Sequence, residues 1–289
     1  MTKMMIKEIE LEGLTGPLAG LEAGYSKGSP LVCIHGWLDN AASFIPLAEA
    51  LPSCRWICID LPGHGKSAYR PPGAIYHYLD YLGDLYRVLE SLECSSCTLV
   101  GHSLGAGIAA VYAAAFPEMV DRLVLIDGIG PISHDSMDSL KQLRESLDFL
   151  GKTGKTGSRF YPSWDQLVKR RLDAGNITRK SVEILLERGT IRSGEGATVL
   201  SDDRLKQRSP LYMSQHRVVS LLKGIEARTL LIMAASGLIR KRSSTLERVA
   251  AIRNLTQKIV PGGHHVHLDD PDVVAREIKK FLDDDQGEA

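Results

Sequence analysis

Leu99-Val100-Gly101-His102-Ser103-Leu104-Gly105-Ala106-Gly107 is the stretch from which the fold of this chain can be read. An apolar run meets a serine with glycine two positions away on either side, and a small-residue segment of helical period follows at once. A strand that turns directly into a helix strains its corner residue, so the neighbours two positions away must be small. Gly101 and Gly105 meet that need. The corner places Ser103 at the positive end of the helix dipole and points the Leu104 N–H at the spot where an oxyanion would form. Such a corner is a nucleophile elbow, and Ser103 is its candidate nucleophile.

Outward from the elbow, short apolar segments at 6–11, 18–23, 31–34, 56–60, 97–100 and 123–126 read as strands. Helical periods occupy 42–51, 78–92 and 106–116. After two antiparallel strands the order becomes β-α-β-α-β-α-β, which predicts an α/β fold with a mostly parallel sheet covered by helices on both faces. The rhythm stops after Ile126 and resumes with a strand at 229–234, a helix at 244–253, a strand at 257–260 and a helix at 272–282. Between them, helical patterns at 136–150, 164–174 and 178–187 read as a helical insertion on the sheet's edge. The expected division is a core of 1–130 with 209–289 and a helical cap, or lid, of 131–208. The acidic end, 283–289, reads as a frayed terminus.

Length and composition fit this plan. A chain of 289 residues can bury one large core. Its 35 basic and 35 acidic residues create no net field for a nucleic acid or an anionic membrane. No segment has the length and apolarity of a signal peptide core or a membrane span. The five cysteines are an odd number and several sit in apolar runs, which suits a reducing cytoplasm. Cys94 and Cys97 form a C-x-x-C, but it precedes a strand instead of opening a helix, so no redox or zinc role is expected. The expected partner is a small molecule.

A second chemical cluster lies in Val260-Pro261-Gly262-Gly263-His264-His265-Val266-His267, between the last strand and the last helix. A loop there can swing an imidazole over the elbow. His264, directly after the glycine pair, is the candidate general base; His265 and His267 read as packing or loop residues. Neither a cysteine nor an H-E-x-x-H helix accompanies them, and Asp269-Asp270-Pro271 suits a helix start, so a metal is not expected. Two other segments imitate phosphate loops, at Gly65-Lys66-Ser67 and at Gly151-Lys152-Thr153-Gly154-Lys155-Thr156. The glycine required five positions earlier is replaced by Asp60, Ser146 and Phe149. The first instead suits a tight turn in which Asp60 bonds to loop backbone.

Together, His35-Gly36, the turn at 60–67, the elbow and Gly263-His264 resemble the α/β-hydrolase superfamily over essentially the whole chain. More narrowly, His35-Gly36-Trp37-Leu38-Asp39-Asn40, Phe116-Pro117-Glu118-Met119-Val120-Asp121, Leu185-Leu186-Glu187-Arg188-Gly189-Thr190 and His264-His265-Val266-His267 are similar to the serine hydrolase-like protein family. The resemblance implies a serine hydrolase with a helical cap and no cofactor. It also implies that the loop after strand 31–34 supplies a second oxyanion donor, the N–H of Trp37, while His35 fixes that loop.

The acid departs from the commonest pattern of that fold, in which it follows the strand after the cap. Here that loop, Ala235-Ser236-Gly237-Leu238-Ile239-Arg240-Lys241-Arg242-Ser243-Ser244-Thr245-Leu246, contains no Asp or Glu. An imidazole that becomes imidazolium needs a carboxylate, so one must come from elsewhere. Asp127 ends strand 123–126 at the same sheet edge as Ser103, precedes Gly128, and preserves the chain order nucleophile, acid, histidine. Asp60 and Asp39 are its rivals. The expected activity is hydrolysis of an ester or related acyl substrate through an acyl-enzyme. Thioester or C–C hydrolysis on the same triad, and a non-catalytic binding protein of the same fold, are the alternatives. Activities that use an aspartate nucleophile are disfavoured by Ser103.

Overall fold

Short apolar segments become the strands of one sheet, because runs of four to eight residues buried on both faces have no use for polar alternation. The structure is a computed structural model describing residues 4–24, 28–93, 95–133, 139–152, 159–207 and 209–284. In chain order the first half comprises β1 (Ile6–Glu12), β2 (Pro17–Gly24), β3 (Leu31–Ile34), α1 (Ile45–Ala50), β4 (Arg55–Ile59), α2 (Asp80–Ser91), β5 (Cys97–His102), α3 (Leu104–Ala115) and β6 (Val120–Ile126). Then come α4 (Ser139–Lys152), β7 (Phe160–Tyr161), α5 (Trp164–Ala174), α6 (Arg179–Gly189), β8 (Thr190–Ser193) and β9 (Gly196–Val199). The chain closes with α7 (Gln215–Leu222), β10 (Arg228–Ala234), α8 (Thr245–Ala251), β11 (Leu255–Val260), α9 (Val266–Asp269) and α10 (Pro271–Asp283).

Among the described residues the main sheet has eight strands in the order β1-β2-β4-β3-β5-β6-β10-β11. The β1-β2 and β2-β4 pairs are antiparallel and the rest parallel. One apolar layer joins the sheet to α2, α3 and α7, the other joins it to α1 and α10. β5 lies between β3 and β6, so its carboxyl end, with Ser103, is flanked by Trp37 on one side and Asp127 on the other. α3 can pack so deeply because it is rich in small residues, and Gly105, Ala106, Gly107, Ala109, Ala110 and Ala113 are all buried. The edge strand β1 carries Lys7, Glu8, Glu10 and Glu12, charges that discourage pairing with another sheet.

The insertion leaves the carboxyl end of β6, an internal strand, and α7 then leads the chain to the amino end of β10, which pairs with β6 in parallel. One expectation about it needs correction, since it is not all helical: β7, β9 and β8 form a separate antiparallel sheet. Strands of two to four residues are too short to display a period, which hid them. α7 was also unread; Ser214 caps it by accepting from the Arg217 N–H at 3.3 Å. Cys94, residues 153–156 of the second phosphate-loop imitation, and residues 285–289 of the acidic end lie outside the described residues. No helix among the described residues is long and apolar enough to cross a membrane.

The elbow is the tightest joint of the fold. A Cβ on Gly105 would stand 1.9 Å from the Ile34 carbonyl oxygen, and one on Gly101 would stand 2.4 Å from the Gly105 carbonyl oxygen. Neither atom is a side-chain end that could swing aside. Gly105→Ala should therefore cost stability at or above the upper end of the roughly 1–3 kcal/mol typical of overpacking. Urea denaturation of the variant beside the wild type measures this, with Gly175→Ala, where a Cβ meets nothing within 4 Å, as the control expected to stay near wild type.

Candidate active site

Ser103 has φ 52° and ψ −110°, a backbone that a serine adopts only under constraint. The constraint is visible on both sides. Its N–H bonds the Ile126 carbonyl of β6 at 3.1 Å, and its carbonyl accepts from Gly107 at 3.2 Å as α3 begins. Its hydroxyl makes no capping bond to α3. Instead Ser103 Oγ lies 2.9 Å from His264 Nε2.

The other face of that imidazole meets the acid. His264 Nδ1 is 2.6 Å from Asp127 Oδ2. With the carboxylate as acceptor, Nδ1 carries the proton and Nε2 is left as the acceptor for the serine hydroxyl. Asp127 is buried. Its own backbone takes the left-handed turn, φ 43°, with its N–H on the Ile232 carbonyl at 2.8 Å. Gly128 serves closeness, since a Cβ there would stand 2.6 Å from the Ser103 carbonyl oxygen. The acid-free loop after β10 receives the carboxylate: Ala234 N–H donates to Oδ1 at 3.3 Å and Leu238 N–H to Oδ2 at 2.8 Å. Gly237 lines the same recess, where a Cβ would intrude to 2.2 Å from Oδ1. A serine hydroxyl, an imidazole and a carboxylate linked in this order can move the hydroxyl proton onto nitrogen while the carboxylate offsets the new charge.

The rival acids are committed elsewhere. Asp60 is fully buried and accepts from Ala41 N at 2.7 Å, Lys66 N at 2.9 Å and the Arg188 side chain at 3.0 Å. It is thus bonded to its own turn, as the sequence suggested, and to α6 as well. Asp39 pairs with Arg171 of α5 and lies 3.4 Å from His265 Nε2. Burial works to raise the Asp39 pKa, but the hydrogen bond from His265 and the charge of Arg171 outweigh it and hold the carboxyl well below its usual range.

The two expected oxyanion donors stand on abutting segments. Leu104 opens α3, where a first-turn N–H has no partner within its helix. Trp37 follows the β3 end against which Gly105 packs. Its indole is half exposed and donates Nε1–H to the Leu205 carbonyl at 2.9 Å. His35 is a structural pin: Nδ1–H donates to the Gly36 carbonyl at 2.7 Å and Nε2 accepts from Leu61 N at 3.0 Å. His267 is buried, with its ring 5.3 Å from Phe44 between centroids. Among the described residues no group of three or more His, Cys, Asp or Glu is arranged to hold a metal ion. Sequence reasoning passed over His102, whose Nε2–H donates to the His264 carbonyl at 2.9 Å. It also passed over Gly237. Both matter only through tertiary contact, and neither leaves a local signal.

The chain belongs to the α/β hydrolase fold family, whose model matches residues 29–271, and within it to the serine hydrolase-like proteins. A serine hydrolase-like protein of Danio rerio is 32% identical, covering 92% of this chain and 85% of its own. Serine hydrolase-like protein 2 of Homo sapiens is 30% identical, covering 96% and 94%. Among solved structures, a hypothetical protein of Pseudomonas aeruginosa PAO1 is 33% identical with a TM-score of 0.88, covering 96% of this chain and 99% of that one. Fold and relatives together make the protein a hydrolase by class.

Around the site four buried imidazoles are held neutral. Burial lowers the pKa of His35 and His102, and lowers those of His64 and His267 to about 3. Unfolded, each would take a proton below about pH 6.5, so the unfolded state binds more protons and stability falls as pH falls through that value. His64 and His267 each contribute about 1.4 kcal/mol between about pH 7.5 and pH 5.5, and His35 and His102 act in the same direction. The lowered Asp39 pKa adds a further loss only below the ordinary carboxylate range. Urea unfolding should accordingly show about 3 kcal/mol less stability at the lower pH from His64 and His267, with His35 and His102 adding to the loss. A flat profile would mean that these rings protonate within the fold.

Proposed function

We propose that the protein is a serine hydrolase acting on an ester or related acyl substrate through Ser103, His264 and Asp127. The observation that carries this is the unbroken hydrogen-bond chain from the Ser103 hydroxyl through the His264 ring to the buried Asp127 carboxylate. Ser103 Oγ attacks the acyl carbon as His264 Nε2 takes its proton, and Asp127 offsets the imidazolium charge. The N–H groups of Leu104 and Trp37 hold the oxyanion. The imidazolium then protonates the departing alkoxide, leaving the acyl group on Ser103. His264 next activates a water that releases the acid and restores the serine. The cycle needs no cofactor. The name of the relatives, serine hydrolase-like, agrees with it.

In the same reading, residues 131–208 act as a cap that covers the elbow and shapes the acyl pocket. Ligands of α/β sheets bind beyond the carboxyl ends of the strands, and this segment leaves from such an end, that of β6. A cytoplasmic setting completes the proposal. Cys33 and Cys58 are register partners on adjacent strands, and both are free thiols. A reducing compartment keeps them so.

A fluorophosphonate probe should label the wild type and leave Ser103→Ala unlabelled; an unlabelled wild type, beside a labelled control hydrolase, would favour a binding protein. Asp127→Asn should keep its melting curve and lose about 10³- to 10⁴-fold in kcat on whichever ester of a chain-length panel is cleaved best. Asp60→Asn should instead lower the melting temperature, because it breaks the contact to Arg188. The reverse pattern would move the acid to Asp60. Replacing the cap by a short linker should alter chain-length preference in the same panel, and an unaltered profile in a folded variant would remove its role in the pocket.

A further inference from the structure

Behind the triad lies a second buried cluster that the proposed cycle does not use. His102 is fully buried at the end of β5, next to Ser103, and its Nε2–H donates to the main-chain carbonyl of His264 at 2.9 Å. The carbonyl can only accept, so the proton is on Nε2 and Nδ1 is bare. That Nδ1 has no hydrogen-bond partner among the described residues and faces Asp39 Oδ2 at 3.7 Å. Asp39, also buried, is held on its other oxygen by Arg171 of α5, and its Oδ2 is 3.4 Å from His265 Nε2. Asp39 thus touches three segments: α5, the elbow strand and the histidine loop. The rings of His102 and His264 are 4.7 Å apart between centroids, so a shift of one is felt by the other.

We propose that His102 is a positioning residue for His264, and that Asp39, held by Arg171 of the docked cap, braces the same loop through His265. The His264 ring bridges Ser103 and Asp127 at 2.9 and 2.6 Å, a span that tolerates little movement of its backbone. The His264 loop follows Gly262 and Gly263, which leave it conformational freedom. A buried donor on the His264 carbonyl removes that freedom where it matters. The proposal rests on the reading of His264 as the general base.

The test uses the full chain with two readouts. The first is kcat and KM for the best ester of the panel. The second is the strongly deshielded proton NMR signal of the short His264–Asp127 hydrogen bond, which exists whether or not the protein hydrolyses anything. His102→Leu removes the donor and should lower kcat by about 10- to 100-fold with KM little changed, the scale of loss from displaced catalytic groups. The deshielded signal should broaden or move upfield. His102→Gln, which can place an amide N–H near the same carbonyl, should regain most of both. Arg171→Met, altered on the partly exposed side of the cluster, should give a smaller loss of the same kind and serves if His102→Leu fails to fold. Unchanged kcat and an unchanged signal in a folded His102→Leu or Arg171→Met variant would overturn the proposal, as would a His102→Gln variant no better than His102→Leu. A wild type with the signal and its expected response to His102→Leu, yet without label or turnover, would overturn the hydrolase reading and leave the positioning role standing.

Discussion

The backbone approach between the end of β3 and the first turn of α3 is the constraint on which the rest depends. With the Ile34 carbonyl pressed against the Cα of Gly105, the helix starts almost in contact with the sheet. Little room remains for a gradual turn, and Ser103 takes the strained corner. Strain at this point is useful because it lifts the hydroxyl away from helix capping. A relaxed serine at a helix start commonly spends its oxygen on the N–H two or three residues on; here that oxygen goes to His264. The same closeness brings Gly128 against the Ser103 carbonyl and so puts the end of β6 beside the elbow.

The position of the carboxylate bonded to His264 follows from an exchange of roles between neighbouring strands. β6 supplies the side chain, and the loop after β10 supplies backbone donors and a glycine that makes room for it. A carboxylate that accepts two backbone N–H groups and an imidazole N–H is well satisfied although buried, which removes most of the penalty for burying charge. An acidic side chain at 237 could not share this recess. The absence of Asp and Glu from 235–246 and the presence of Asp127 are therefore two sides of one solution.

What could be read from the sequence divides along the same physical line. The sheet core was legible because strands buried on both faces are apolar runs, and β3 was bounded residue for residue; the elbow was legible because its glycines sit at fixed distances from Ser103. That Asp127 is the carboxylate that meets His264 could be inferred by elimination, because the loop after β10 is empty of acids. Three kinds of feature were hidden. The small sheet of the insertion has strands shorter than any period. The commitment of Asp39 and Asp60 depends on arginines 132 and 128 residues away in sequence. The tie between His102 and His264 spans 162 residues and involves a main-chain carbonyl, which no side-chain pattern reports.

Those distant arginines say how the insertion is seated. Arg188 reaches Asp60, Arg171 reaches Asp39, Asn40 Nδ2–H donates to the Leu185 carbonyl at 2.8 Å, and Trp37 donates to the Leu205 carbonyl. Three of these core partners, Trp37, Asp39 and Asn40, belong to the loop after β3, which also abuts the elbow. Buried ion pairs add little net stability, since desolvation offsets most of their attraction, but breaking one leaves a costly bare charge. They therefore penalise a misplaced insertion more than they reward a correct one. The apolar contacts are less selective: the small cluster beneath α5 and α6 closes with Leu268 of α9, a contact that a slightly rotated insertion could keep in part. The insertion's orientation on the core is thus set by the polar pairs, and three of the four are concentrated on the loop beside the elbow.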